Sequence, residues 1–324
     1  MTDWDFVIAL AIVSLLAVAG CGPGSVLDPC THGDGIATPL SPGPRVMKTV
    51  FVIVMENKNW DQIEGNPSAP YLNETLLPTA SFARNHSNSD LHPSEPNYLW
   101  LEGGTHYGIS DDDDPARHHL PNRDHLVSLL EQSGISWKAY EEGIDSTECP
   151  VRSHGLYAAK HDPFVFFDDV TDGIDPASKH CIEHIRPLPQ LATDLMNDAV
   201  ARYDFITPDT CNDMHDSSGC ATDDPITNGD RWLADWVPRI QQSRAYSDGG
   251  VIFITWDESE EGDHPIGLIV ASPLAKGGGY SNAIPYSHGS LLRSVQEILG
   301  VGPLLCDAAN ATALSDLFRV PLSP

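Results

Sequence analysis

The chain has 324 residues, 41% of them hydrophobic, enough for one large α/β domain or two smaller ones around a substantial core. Asp and Glu number 46 against 18 Lys and Arg, a formal net charge of -28, which argues against a nucleic-acid phosphate backbone as partner. Such acidity describes a soluble, salt-tolerant surface, and no cysteine spacing matches a zinc knuckle.

Residues 6–20 form an almost wholly apolar run that ends in Val18-Ala19-Gly20-Cys21. The run resembles a bacterial lipoprotein signal peptide, cleaved before Cys21, whose lipid would anchor the chain to a membrane. Met1, Thr2, Asp3, Trp4 and Asp5 carry no positive charge, unlike a usual signal n-region. An ordinary secretory signal and an uncleaved anchor helix therefore stay open beside the lipoprotein reading, although the run is short for a bilayer span. Gly, Pro, Ser and Thr dominate the stretch that follows, so 1–20 is read as signal, 21–45 as flexible tether and 46–324 as the folded domain.

Within that domain, apolar residues 50–55 predict a buried strand that ends at Glu56-Asn57, and residues 251–256 predict another that ends at Asp257-Glu258. Further strands are predicted at 136–140, 203–207 and 266–271. Helical periodicity appears in Leu126, Leu129 and Leu130, in Leu188, Leu191 and Leu195, in Trp232, Leu233, Trp236 and Ile240, and in Leu291, Leu292, Val295, Ile298 and Leu299. Gly134 and Gly300 stand where helix ends need a left-handed residue. This alternation predicts an α/β fold with a mainly parallel central sheet flanked by helices. Residues 141–179, irregular and rich in aromatic and acidic side chains, read as an insertion or lid, and the acidic run 111–114 as a solvated loop.

Leaving Cys21 aside, Cys30, Cys149, Cys181, Cys211, Cys220 and Cys306 form an even set, consistent with disulfides in an oxidising compartment. Closeness along the chain favours Cys211 with Cys220, then Cys149 with Cys181, leaving Cys30 and Cys306 to tie the termini; free buried thiols are the alternative.

In open α/β sheets ligands gather beyond the carboxyl ends of strands, so the two acidic pairs are expected to meet in one cleft. Their oxygens suit a hard divalent cation, and a cation suits chemistry at a phosphoryl group. In His92-Pro93-Ser94-Glu95-Pro96-Asn97, two prolines hold Ser94 in an extended turn ahead of a helix expected to begin near Asn97, whose N-terminus favours an anion. Alone, such a serine reads as a loop or capping residue.

The ordered blocks FVIVMENKNWDQI, HPSEPNYLWLEGG, GISWKAYEEG, KHDPFVFF, FITPDTCNDMHD, ITWDESEEGDHPIGLIVASPLAKGG and YSHGSLLRSVQEILG run from about residue 46 to 300. Together they resemble the phosphoesterase family of bacterial phospholipases C and acid phosphatases, within the alkaline phosphatase-like superfamily. The resemblance implies an alkaline phosphatase-like fold, a divalent cation (Ca, Mg, Mn or Zn) held by Glu56, Asn57, Asp257, Glu258 and Asp213, and Ser94 as nucleophile forming a phosphoseryl intermediate. It implies roles for His215 and His288 in catalysis or metal binding, and for Asn97, His161 and His264 at the substrate. Lys160 is a further candidate near the phosphate. Glu258 departs from the Asp or His often found second in the late pair.

The expected activity is that of an exported, periplasmic or cell-surface phosphomonoesterase or phospholipase C-like phosphodiesterase. Monoesters or small diesters are favoured because no carboxy-terminal lipid-docking domain is evident. A non-catalytic calcium-binding surface protein is the alternative. A sulfatase is disfavoured because no Pro-x-Arg pattern follows Ser94.

Overall fold

The computed structural model describes residues 46–88, 91–216, 218–260, 262 and 264–322. The expected signal and tether, with Cys21 and Cys30, lie outside the described residues. Among the described residues ten strands follow in chain order: β1 (Thr49–Met55), β2 (Ser81–Ala83), β3 (His86–Ser87), β4 (Trp137–Glu141), β5 (Ile185–Pro187), β6 (Tyr203–Thr207), β7 (Gly250–Trp256), β8 (Leu268–Ala271), β9 (Tyr280–Asn282) and β10 (Tyr286–Ser287). The main sheet has the order β5-β4-β6-β1-β7-β8-β2-β9, and β10 pairs with β3 apart from it. From β5 to β7 all neighbours are parallel, as are β2 and β9; β8 runs antiparallel to both of its neighbours.

β1 is central because its sequence, TVFVIVM, is apolar on both faces and rich in β-branched side chains. Alternate residues go to opposite cores. Val50, Val52 and Val54 join Leu126, Leu130, Leu291 and Val295 on one side, whereas Phe51, Ile53 and Met55 join Leu72, Leu191, Leu233 and Ile240 on the other. Helices Leu126–Gln132 and His288–Leu299 cover the first face, and Pro189–Met196 and Pro225–Gln241 the second.

Apart from one-residue extensions at the starts of β1 and β7, three boundaries differ from the sequence-based expectation. The helix expected from Asn97 spans Ser94–Gly103, so Ser94 is its first residue rather than part of an extended turn. Prolines are tolerated there because first-turn N-H groups have no partner within the helix. The expected strand 266–271 starts at Leu268, since the Ile266 and Gly267 N-H groups both turn to the His86 carbonyl. The strand expected at 136–140 is shifted by one residue, to Trp137–Glu141.

Gly134 and Gly300 adopt left-handed conformations, with φ of 66° and 73°. Residues 141–179 contain short helical turns, and Phe164, Val165, Phe166 and Phe167 within them are fully buried, which ties this segment to the core. Disulfides join Cys149 to Cys181 and Cys211 to Cys220; Cys306 is also disulfide-bonded. Among the described residues no helix is long and apolar enough to cross a membrane.

The helix that begins at Ser94 ends at Gly104, whose φ of 70° and 2.8 Å N-H bond to the Trp100 carbonyl close it. A Cβ at this position would meet the Leu305 carbonyl oxygen at 2.8 Å. Gly104→Ala is therefore expected to cost about 2 kcal/mol, from the left-handed backbone and the close approach together. Urea unfolding measures this, and an unchanged midpoint would refute the constraint.

Candidate active site

β1 and β7 are paired in register, with Met55 opposite Trp256, so the residues that follow them emerge side by side. Glu56 and Asp257 are both fully buried there. The Asn57 N-H donates to Asp257 Oδ1 at 3.0 Å. Asn57 has a φ of 40°, a left-handed turn that asparagine tolerates better than most residues. On the other flank of β1, the loop after β6 brings Asp213 against the same point, where its carbonyl accepts the Glu56 N-H at 2.7 Å.

The helix Ser94–Gly103 supplies the third side. Ser94 Oγ donates to Glu56 Oε2 at 3.0 Å and also lies against the Asp257 carboxylate. Asn97 and Tyr98 stand three and four residues after Ser94, on the same helical face. Asn97 Nδ2 donates to Glu258 Oε2 at 3.2 Å, and His92 Nδ1 approaches the same oxygen at 2.8 Å. Tyr98 places its phenol beside Glu56 and stacks on the His161 ring at 5.1 Å. His161, carried by the buried 141–179 segment, sets Nε2 at 3.3 Å from Glu56 Oε1 and Nδ1 at 3.9 Å from Asp213 Oδ2.

The remaining candidates occupy different places. The His215 N-H donates to Asp213 Oδ1 at 2.8 Å, while the His215 ring stands 39% exposed at the mouth. His288 is fully buried, with Nε2 at 2.5 Å from the Asp257 carbonyl oxygen. That carbonyl can only accept, so the ring nitrogen donates and His288 holds the end of β7. His264 is exposed and, among the described residues, makes no hydrogen bond or ion pair with this group. Lys160 is half-buried and joined to Asp112 at 2.6 Å; Asp112 in turn accepts the Glu95 N-H at 3.0 Å. Part of the acidic run 111–114 thus packs against the start of the serine helix rather than standing free in solvent.

The sequence reading did not single out Tyr98 or Asp112. Tyr98 becomes predictable once the helix is started at Ser94, because a four-residue step then puts it on the serine's face. The acidic run itself carries no signal that distinguishes Asp112 from its neighbours.

Burial governs the electrostatics. Desolvation, followed by the nearby charges of Asp257 and Asp213, holds the Glu56 carboxyl well above its ordinary range. Desolvation also pushes Asp213 up to about 8, Asp257 to about 6 and Glu258 to about 9. Burial lowers His288 to about 4 and His161 well below the usual imidazole value, so neither ring offsets the negative charge near neutrality.

A divalent cation fits this donor set. Glu56 Oε1 and Asp213 Oδ2 are buried without hydrogen-bond partners. One end of the Asn57 carboxamide lies 2.9 Å from Asp257 Oδ1 and 3.1 Å from Glu56 Oε2, and the other end lies 3.2 Å from His215 Nε2. With nitrogen inward, the amide bridges the carboxylates as a donor; with oxygen inward, it completes an oxygen cluster that a cation would hold together. The oxygens that converge most closely are thus those of Glu56, Asn57, Asp257 and Ser94. Glu258 turns toward Asn97 and His92, and Asp213 toward His161. Among the described residues, the places where three His, Asp or Glu donor atoms all come within 4.8 Å of one another lie elsewhere, at Glu131, His180 and His184 and at Asp111, Asp113 and His118.

Comparison with known proteins adds a family. A model described as the Phosphoesterase family matches residues 79–302. A phosphatidylinositol-3-phosphatase of Mycobacterium tuberculosis is 30% identical over 278 residues, covering 83% of this chain and 82% of that protein. An acid phosphatase of Aspergillus fumigatus is 26% identical, covering 78% of this chain and 55% of its own length. Among solved structures, a Vibrio parahaemolyticus protein in the alkaline phosphatase superfamily superimposes with a TM-score of 0.55 at 11% identity, covering 86% of this chain and 73% of that one. That likeness establishes the alkaline phosphatase-like fold.

The raised carboxyls give a pH signature. In chelated protein Asp213 and Glu258 keep protons, up to about 8 and about 9, that the unfolded chain releases near pH 4. The folded state then binds more protons than the unfolded one, so stability falls as pH rises through this window. His161 and His288 are neutral in both states above about pH 7 and contribute no slope there. The Tm of chelated protein should therefore drop between pH 7 and 9, and a divalent cation should flatten the drop. A pH-independent Tm with chelator present would contradict the buried acidic cluster.

Proposed function

Since the chain belongs to the Phosphoesterase family and is a hydrolase of phosphoric esters, we propose that it works through Ser94 as nucleophile beside a divalent cation held by Glu56, Asn57 and Asp257. The observation that carries this reading is the 3.0 Å hydrogen bond from Ser94 Oγ to the buried Glu56 carboxylate, at the first residue of a helix. A bound cation would supply positive charge that lowers the serine pKa and stabilises charge developing on the phosphoryl oxygens.

The chain's own groups then divide the work. Ser94 Oγ, its proton released to solvent, forms the bond to phosphorus as the ester P-O bond breaks. His215, exposed at the mouth, is the proposed donor of a proton to the leaving alkoxide. Asn97 and Lys160 are the proposed contacts to the phosphoryl group, and His161 with Tyr98 is proposed to orient Glu56. Buried and neutral, His288 fits a positioning role at Asp257. Water then cleaves the phosphoseryl ester and frees phosphate. Glu258 and Asp213 complete the negative surroundings of the proposed cation site, and His264 is placed at the periphery.

Phosphate monoesters are the proposed substrates, in keeping with the phosphatase names of the relatives. Export is proposed as well: the apolar run that ends at Cys21, with its likeness to a lipoprotein signal, agrees with the disulfides, which persist in oxidising compartments. Residues 46–324 are proposed to act as one catalytic domain.

Ser94→Ala, assayed with an aryl phosphate and an aryl phosphocholine, tests the assignment. Turnover of the aryl phosphate should fall on the order of 10^4-fold or more while the circular dichroism spectrum is unchanged. Chelator should remove wild-type activity, and added divalent cation should restore it. Metal-dependent turnover that survives Ser94→Ala would eliminate the serine as nucleophile.

A further inference from the structure

Helix Lys179–His184 carries His180 and His184 one turn apart, facing Glu131 near the end of helix Leu126–Gln132. One side-chain donor atom from each of these residues lies within 4.8 Å of the other two. We propose that Glu131, His180 and His184 form a second metal site, for a borderline transition cation such as Zn2+, that braces the fold away from the catalytic centre.

The hydrogen bonding of the two rings carries the inference. His180 Nδ1 is 3.0 Å from the Asp169 carbonyl oxygen, and His184 Nδ1 is 2.9 Å from the His180 carbonyl oxygen. A carbonyl only accepts, so both Nδ1 atoms carry hydrogen and in the neutral rings both Nε2 lone pairs remain available. Metal-binding histidines commonly have this arrangement, in which a carbonyl fixes the tautomer and the ring direction. His180 Nε2 lies 2.7 Å from Glu131 Oε1, which also accepts from Trp137 Nε1 at 2.8 Å. A neutral His180 would set a lone pair against a carboxylate oxygen, a contact that either a proton or a metal ion must bridge.

Two imidazoles and one carboxylate suit Zn2+, with water as a fourth ligand, better than they suit Mg2+ or Ca2+. The catalytic cluster, rich in oxygen, has a harder donor set. The two sites also lie at opposite ends of the sheet. Trp137, which stacks on His184 at 4.6 Å, begins β4 and pairs with Tyr203 at the start of β6, whereas Asp213 follows the end of β6. The proposed ion would therefore be structural. It would clamp a six-residue helix, too short to be stable alone, to a neighbouring helix, alongside the Cys149–Cys181 bridge. With side chains 29% and 39% exposed, His180 and Glu131 leave a path for the ion.

The test uses the full chain, stripped with chelator, dialysed, and titrated calorimetrically with Zn2+ beside His180→Gln and His184→Gln. Wild type should bind one equivalent more than either variant. Zn2+ at about 100-fold excess over its Kd should raise the wild-type Tm by roughly 5 °C more than that of the variants. Ni2+ should quench wild-type fluorescence more than that of Trp137→Phe, since the ion would sit beside the indole. Aryl phosphate turnover should be unchanged in both histidine variants. If His184→Gln does not fold, His180→Gln alone decides, because its ring is partly exposed. Equal Zn2+ stoichiometry in wild type and His180→Gln would overturn the proposal and leave Glu131 and His180 as an ion pair only.

Discussion

Negative charge buried at the carboxyl ends of β1, β6 and β7 constrains the rest of the structure. Glu56, Asp213 and Asp257 are each removed from water, and Glu258 is nearly so. Isolated buried carboxylates are costly, and a protein relieves the cost by protonation, by hydrogen bonds or by a cation. The first two remedies are both visible here: raised carboxyl pKa values, the Ser94 hydroxyl, the Asn57 N-H and the Asn97 amide. Unpartnered Glu56 Oε1 and Asp213 Oδ2 leave room for the third.

The architecture concentrates this charge without unfolding around it because the surrounding shell is rigid. β1 has parallel neighbours on both sides, so three strand ends converge and none is an edge. Helix Ser94–Gly103, buried at every position, brings the serine to those ends and is closed by a glycine against the 305 region. His288 holds the Asp257 backbone from the neighbouring helix His288–Leu299. The 141–179 segment contributes His161 by inserting its aromatic residues into the core, which makes an irregular stretch part of the site's wall.

Local periodicity made β1, β4, β6, β7 and β8 and the five longest α-helices legible, whereas the two- and three-residue strands β2, β3, β5, β9 and β10 and the helices of four to six residues are too short to show a period. β1 and β7 are continuous apolar runs, and only buried central strands of a parallel sheet tolerate that pattern. The start of the serine helix was harder to read, since prolines beside Ser94 suggest an extended turn as readily as a first helical turn; with that start misplaced, Tyr98 was not assigned to the serine's face. Asp112 gave no recognisable signal, and the i,i+4 spacing of His180 and His184 was not singled out, because each depends on a partner distant in sequence, Lys160 in one case and Glu131 in the other.

The amino-acid sequence by itself determined the α/β class, the strand-terminal acidic pairs, the local cysteine pairs and the family, because these follow from short-range patterns and from ordered motifs. Only the tertiary structure decided which oxygens converge. Strand register put Glu56 beside Asp257, whereas Glu258 turned to Asn97 and His92, Asp213 to His161, and His264 to the surface. The reason is geometric: a motif specifies which residues follow a strand, but packing across the sheet sets the direction in which each side chain points.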